Sequence, residues 1–163
     1  MANTQSMCTS FLGDLMSAQH QFGASTIVSR TSLTAPTGDT FKAALYLTSA
    51  TYSAATTAYS ATGEVSGTGY TAGGVAVTTA TVPTSTNSSA TAGVGFVTPS
   101  ASITYTTVTL ATAFDAVLIY NSTQSNKAVS VHTFGSQTIT AGTFTLTMPS
   151  NTTSTALLRL ATT

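Results

Sequence analysis

One cysteine and two histidines are the residues best suited to metal binding or nucleophilic catalysis: Cys8, His20 and His132. A structural zinc site uses four such ligands, usually in closely spaced pairs, and these three residues have no such spacing. Within one helix, Cys8 and His20 would lie roughly 18 Å apart, too far for a nucleophile–base contact. Cys8 and His132 could meet Asp115 only by tertiary coincidence. We therefore expect Cys8 to be a small buried hydrophobic residue.

Four carboxylates could supply acid–base chemistry: Asp14, Asp39, Glu64 and Asp115. Paired-carboxylate hydrolysis needs two of them about 5–10 Å apart, one of them in apolar surroundings. They lie on four different segments, so their spacing predicts no such pair. The cations are equally dispersed: Arg30, Lys42, Lys127 and Arg159. We expect Arg159 or Lys42 to pair with one of the carboxylates, inside the domain or between subunits.

The glycine-rich stretch Gly63–Gly74 must be tested as a phosphate-binding loop. A Walker loop ends in Gly-Lys-Ser/Thr, and a dinucleotide loop has the pattern G-x-G-x-x-G before a helix. Here Gly67-Thr68-Gly69-Tyr70-Thr71-Ala72 lacks the third glycine, and the strand-like Val75-Ala76-Val77 follows. We therefore interpret the stretch as a corner between two strands, in which glycines adopt positive φ.

Six tyrosines could form a carbohydrate-binding platform: Tyr46, Tyr52, Tyr59, Tyr70, Tyr105 and Tyr120. The chain has no Trp, which weakens that interpretation, because tyrosine in strands commonly packs with its hydroxyl at the edge of the core. These patterns predict no catalytic, cofactor-binding or metal-binding residue, and no enzymatic activity.

Composition narrows the class of protein. The 163 residues fit one domain, and only 5% are charged, with four Lys+Arg against four Asp+Glu. So few cations cannot form a nucleic-acid-binding patch, and a hydrophobic content of 42% argues against disorder. Thr and Ser make up about a third of the chain, which favours β-structure or a glycosylated stalk. A surface with so little charge favours a subunit of a large assembly.

Targeting signals are not evident in the sequence. No signal-peptide pattern and no long apolar run occur, so we expect synthesis in the cytoplasm and no membrane association. The single Cys8 excludes an internal disulfide. Three glycosylation-type triplets, which begin at Asn87, Asn121 and Asn151, are attributed to chance in so Ser- and Thr-rich a chain.

Apolar residues recur at helical spacing over residues 4–22, with Asn3 or Thr4 as N-cap and Gly23 as C-cap. This amphipathic helix is expected either to cover the core or to dock on a neighbouring subunit. The predicted organisation is an N-terminal helix in residues 1–23 and a single β-sandwich domain in residues 24–163.

Strand-like blocks fill most of the remaining chain: Phe41–Leu47, Val75–Thr79, Gly93–Val97, Ile103–Leu110, Phe114–Tyr120, Ala128–Phe134, Gln137–Thr140, Thr143–Met148 and Ala156–Ala161. Val117–Tyr120 is continuously apolar and predicts burial on both faces. Turns are predicted at Asn121–Asn126, Gly135-Ser136 and Ala141-Gly142, and one helical turn at Ala54–Tyr59. The pattern predicts a mainly β fold, a jelly-roll-like antiparallel β-sandwich with one N-terminal helix.

Seven of these blocks, in this order, resemble a family of small tailed-bacteriophage virion proteins encoded among the head and tail structural genes. The blocks are MCTSF (7–11), GDTFKAALY (38–46), GEVSGTGYTAGG (63–74), AVLIYN (116–121), NKAVSVHTFG (126–135), GTFTLTMP (142–149) and ALLRLA (156–161). The chain departs from the family pattern in residues 24–36 and in residues 83–101, where a Trp-containing segment is missing.

The resemblance implies a virion structural protein, assembled in the host cytoplasm. We expect a capsid decoration (cement) protein that oligomerises, for example as a trimer, on the major capsid protein and stabilises the head. The alternatives are a tail or head–tail connector component and a carbohydrate- or receptor-binding virion module. No cofactor, nucleic acid or membrane is expected as a partner.

Overall fold

The computed structural model describes residues 3–16, 20, 22, 38–78, 83–85 and 93–161. The elements in chain order are β1 (Ser6–Met7), α1 (Thr9–Met16), β2 (Phe41–Leu47), β3 (Val75–Val77), β4 (Thr84–Ser85), β5 (Val94–Val97), β6 (Ile103–Asn121), β7 (Lys127–Leu146) and β8 (Leu158–Ala161). They form two antiparallel sheets, with strand orders β1-β7-β6-β2-β3 and β4-β5-β8. The predicted mainly β, antiparallel fold with one N-terminal helix is confirmed.

The two sheets pack through apolar side chains. Phe41 and Ile119 of the larger sheet and Val97 and Leu158 of the smaller one line a common cavity of about 20 Å³. That volume holds no more than about one water molecule. The contact between the sheets is therefore a packed core and not a ligand cavity.

A long hairpin of β6 and β7 dominates the larger sheet. The predicted turn at Asn121–Asn126 is confirmed and joins these two strands. The turns predicted at Gly135-Ser136 and Ala141-Gly142 are wrong, because β7 continues through both. The pairing of β7 with β6 shifts register at both positions. At the second of them, Ala141 has a φ of 47°. Small residues at these places therefore mark β-bulges and not chain reversals.

The centre of β6 is the most deeply buried part of the chain. Its central residues from Val117 to Tyr120 are at most 4% exposed, which confirms the prediction of burial on both faces. The two blocks predicted as separate strands, Ile103–Leu110 and Phe114–Tyr120, form one strand in which Thr107 has a φ of 53°. Pairing with β2 on one side and β7 on the other fixes this strand in the sheet.

The N-terminal helix is confirmed, but it is shorter than the predicted residues 4–22. It begins at Thr9, because Ser6 and Met7 extend and pair with β7. Asn3 is not an N-cap: its amide nitrogen donates to Asp115 and to the carbonyl of Leu47. The predicted cap Gly23 lies outside the described residues.

The buried face of α1 packs on the hydrophobic core of its own chain. Phe11 is 2% exposed and belongs to the same core cluster as Cys8 and Val129. The helix therefore covers the core, one of its two predicted roles. The single helical turn predicted at Ala54–Tyr59 is wrong, since the described chain there forms only a short turn at Ala54 and Ala55.

The corner interpretation of Gly63–Gly74 is confirmed by its backbone. The stretch joins β2 to β3, which pair antiparallel with Ala43 opposite Val75. Gly74 has a φ of 71°, and a Cβ atom there would collide with the backbone carbonyl of Ala43. The corner also runs along β6, where the Thr109 N–H donates to the Thr68 carbonyl at 2.9 Å.

Replacing Gly74 should test the corner most severely. Gly74→Val requires both a positive φ and displacement of β2, so we expect a loss of more than about 3 kcal/mol, or insoluble protein. Gly73→Val should also destabilise, because Gly73 has a φ of 87°. Gly135→Ala is the control: a Cβ there meets nothing within 4 Å, so its effect should stay within about 0.5 kcal/mol. Equal urea midpoints for Gly74→Val and the wild type would refute the corner.

Candidate functional site

The one cysteine of the described chain, Cys8, is buried and unreactive. Cys8 is fully buried, and its Sγ lies 4.0 Å from the carbonyl oxygen of Ser53. Burial raises the pKa of Cys8 to about 11, so at neutral pH it is a protonated thiol and a poor nucleophile. The prediction that Cys8 is a buried hydrophobic residue is confirmed.

A serine–histidine contact was missed by the sequence analysis. The Oγ of Ser130 lies 2.9 Å from the Nε2 of His132, because residues two apart in a strand share a face. Burial lowers the pKa of His132 to about 4, so at pH 7 the ring is neutral but a weak base. In addition, Ser130 is only 1% exposed, so its hydroxyl is not open to a substrate. The i, i+2 spacing was the signal that would have identified this pair.

Asp14 ties the helix to the long hairpin. Its Oδ1 lies 2.8 Å from the Nζ of Lys127 at the start of β7, and its Oδ2 lies 3.6 Å from the Nε2 of His20. The sequence predicted that Arg159 or Lys42 pairs with a carboxylate, inside the domain or between subunits. Among the described residues, the internal pair between a lysine and a carboxylate is made by Lys127, and pairing between subunits stays a prediction. The sequence gives no signal for this pair, because Asp14 and Lys127 are far apart in the chain.

The tautomer of His20 is set by Asn121. The Oδ1 of Asn121 accepts the N–H groups of Thr123 and Gln124, so its amide nitrogen faces the other way. That nitrogen lies 3.1 Å from the Nδ1 of His20 and 2.6 Å from the Oδ2 of Asp39. Nδ1 is therefore an acceptor, and the ring proton is on Nε2, towards Asp14. Burial lowers the pKa of His20, against the opposing effect of Asp14.

Glu64 is the centre of a second polar cluster, at the glycine corner. Its Oε2 accepts the Tyr59 hydroxyl, and its Oε1 accepts the Tyr70 hydroxyl and the Gly73 N–H, each at 2.7 Å. The Tyr70 oxygen also accepts the N–H of Leu45 in β2. Burial, together with the hydrogen bond to Glu64, raises the pKa of both tyrosines, so both hydroxyls stay protonated as donors.

The other four tyrosines also donate to oxygen atoms of the chain. The hydroxyls of Tyr46 and Tyr52 reach the carbonyl of Ser60, Tyr105 reaches that of Ala43, and Tyr120 reaches that of Gly73. All six hydroxyls therefore stabilise the fold. The tyrosines do not form an exposed platform for a sugar, and the prediction that they pack with hydroxyls at the core edge is confirmed.

Three recesses open on the surface of the described residues. A shallow recess of about 400 Å³ is lined by small and hydroxyl-bearing residues, including Ser49, Thr51 and Thr56. An apolar groove of about 120 Å³ lies between α1 and the smaller sheet, beside Phe11 and Phe96. A third recess, of about 230 Å³, lies beside His132 and Phe134 and is otherwise mostly apolar. None of the three is lined by an Asp, Glu, Lys or Arg residue.

Two features were looked for in the described part of the chain: a cluster of metal ligands and a helix able to span a membrane. No group of three or more His, Cys, Asp and Glu residues is arranged there to hold a metal ion. None of the described helices has the length and apolar character needed to span a bilayer. The polar clusters at Asp14 and Glu64 act as braces within the fold.

Comparison of the chain with protein-family models, curated proteins and solved structures gives no match. A function must therefore be inferred from the chain's own residues and surface.

Substitution of Glu64 should show that its cluster is a brace. Glu64→Leu leaves three donors without an acceptor, and we expect a loss of about 3–5 kcal/mol in the free energy of unfolding. Glu64→Gln should cost only about 1–2 kcal/mol, because an amide can keep Tyr70 and Gly73 on its oxygen and donate to Tyr59. Urea denaturation measures both. Equal losses for Leu and Gln would show that the three hydrogen bonds are unimportant.

The lowered pKa values of His20 and His132 should make the protein less stable in acid. The pKa of His132 falls from 6.5 to about 4 on folding, so the unfolded chain binds more protons in this range, and stability declines as pH falls from about 6.5 towards 4. His132→Gln should remove on the order of 2 kcal/mol of that decline. Denaturation midpoints of both proteins across this pH range test the effect, and parallel curves would contradict it.

Proposed function

We propose that this protein is a structural subunit of a tailed-bacteriophage virion, and that it decorates and stabilises the capsid. The observation that carries this proposal is the internal use of its acidic residues. Asp14 contacts Lys127, Asp39 and Asp115 accept amide hydrogens, and Glu64 accepts three donors. Among the described residues, the exposed positions are largely Ser, Thr, Ala and Gly.

Such a surface suits permanent contact with other subunits. The central parts of protein interfaces are depleted of charged residues, since an unpaired buried charge is costly. A net charge of zero also means that many copies crowded on one particle do not repel each other. An enzyme would need reactive side chains open to a substrate, and the hydroxyl-bearing side chain of Ser130 is buried.

The resemblance to phage virion proteins supplies the kind of assembly. The blocks that carry it lie mainly on the larger sheet: β2, the glycine corner and the β6–β7 hairpin. Residues 83–101, where the chain departs from the family pattern, include β4 and β5 of the smaller sheet. The resemblance that supports the proposal is therefore carried mainly by the larger sheet. A decoration role would use many weak contacts at once.

Virions that lack this protein provide the test. We expect heads that form normally but lose DNA on mild heating, with tails of normal length, because decoration stabilises a shell that already exists. Adding the purified protein should restore heat resistance, and quantitative gels of wild-type virions should show a high copy number. Intact heads with short or detached tails would instead indicate a tail or connector component. Absence of the protein from virions would refute the proposal.

A further inference from the structure

The recess beside His132 lies at the flank of the contact between the two sheets. Ile119 and Leu157 line both this recess and the small cavity between the sheets, so it opens where the smaller sheet stops covering the larger one. The apolar side chains of Phe134 and Leu146 in its lining are only partly buried. The recess is therefore an apolar pocket that the described residues do not fill.

The size of the recess favours a single ring as its occupant. An engineered protein cavity of about 150 Å³ binds benzene, whereas drug-sized ligands occupy sites of about 300–1,000 Å³. A volume of about 230 Å³ fits one six-membered ring with a small substituent. A drug-sized ligand or a lipid chain is too large for it.

The ring of His132 supplies one hydrogen-bond donor to this recess. Its Nε2 lies 2.9 Å from the Oγ of Ser130. Ser130 is 1% exposed, and its hydroxyl has no other partner among the described residues, so that hydroxyl donates to Nε2. Because burial lowers the pKa of His132 to about 4, the ring carries one proton at neutral pH, and that proton is on Nδ1.

The Nδ1 nitrogen is available to a ligand. His132 lines the recess, and within the described chain its only hydrogen bond is the one at Nε2. Nδ1 is also not among the fully buried polar atoms that lack a partner, so it is not enclosed by the protein. A ligand in the recess therefore meets an apolar wall and one N–H donor.

We propose that this recess binds the side chain of a tyrosine presented by a partner protein. The ring packs against the apolar lining, which includes Ile103, Val117 and Leu146. The phenolic oxygen accepts the N–H at Nδ1 of His132. This contact goes beyond the proposed function, since it does not depend on whether the partner is a capsid protein.

Tyrosine is the side chain that meets every requirement of the lining. Phenylalanine has no oxygen, and the indole N–H of tryptophan is only a donor. An acidic or basic side chain would bury a charge, and the recess has no Asp, Glu, Lys or Arg to compensate it. Serine and threonine are too short to fill the apolar space. Tyrosine is also enriched in protein interfaces, where it anchors contacts by filling pockets.

A second copy of this chain does not supply the tyrosine. All six of its own tyrosine hydroxyls donate within the fold, to Glu64 or to backbone carbonyls. All six side chains are buried or half-buried. The partner is therefore a different protein with a tyrosine on its surface.

Three small molecules of similar shape test the recess in the full-length protein. They are p-cresol, which mimics the tyrosine side chain, toluene, which lacks the oxygen, and 4-methylbenzoate, which carries a charge. We expect p-cresol to bind with a Kd of about 1 mM. It should bind about tenfold more tightly than toluene, because it adds one hydrogen bond, and 4-methylbenzoate should bind most weakly. Shifts in the methyl NMR signals of Ile103, Leu146 and Met148, which line the recess, report binding.

Removing the donor should abolish the preference for oxygen and keep the affinity for the ring. In His132→Phe, toluene should bind as before and p-cresol should lose its advantage. Ser130→Ala with His132→Phe is a second variant, because it removes the hydroxyl that would lack an acceptor and so protects folding. Leu160→Ala, in the apolar groove beside α1, is the control and should change neither affinity. A folded His132→Phe protein that still prefers p-cresol would overturn the inference.

Peptides distinguish a partner's side chain from a free phenol. A blocked Ala-Tyr-Ala peptide should shift the same methyl signals, and Ala-Phe-Ala should bind about tenfold more weakly. Binding of p-cresol without binding of the tyrosine peptide, or no binding of any probe, would overturn the inference. Because these measurements use the isolated protein, their failure leaves the capsid proposal standing. Failure of the virion experiment equally leaves the tyrosine pocket standing.

Discussion

The carboxylate of Glu64 is the interaction on which the larger sheet depends. It accepts hydrogen bonds from Tyr59, Tyr70 and the Gly73 backbone, and so fixes both ends of the corner between β2 and β3. The hydroxyl oxygen of Tyr70 also accepts the N–H of Leu45, which connects the Glu64 cluster to β2. Because an acceptor with three donors has few alternative arrangements, the corner holds one conformation, and its positive-φ glycines can approach β2 closely.

Other buried polar side chains also link segments that are distant in the sequence. Asp14 joins α1 to β7 through Lys127, and Asn121 joins the hairpin turn to His20 and to Asp39, just before β2. Each of these polar groups stabilises contacts between segments that are distant in sequence. A chain with only 5% charged residues therefore uses them for specificity of packing. Among the described residues, the exposed surface consists largely of hydroxyl-bearing and small side chains.

Much of the framework could be predicted from the sequence, because strand periodicity and glycine chemistry are local signals. The alternation over Phe41–Leu47 and the apolar run Val117–Tyr120 both correspond to buried strands. The wrong predictions also have physical causes. Gly135 and Ala141 resemble turn residues, but pairing with β6 keeps them in one strand. The Glu64 and Asp14 clusters were missed because their members meet only through tertiary contacts.

Cryo-electron microscopy of purified virions is the most direct test of the central claim, that this is a capsid subunit acting through its uncharged surface. The account predicts repeated density for the fold on the outer face of the head, contacting the shell through surfaces without charged residues. Density for the fold in the tail or at the connector, or none on the particle, would contradict it.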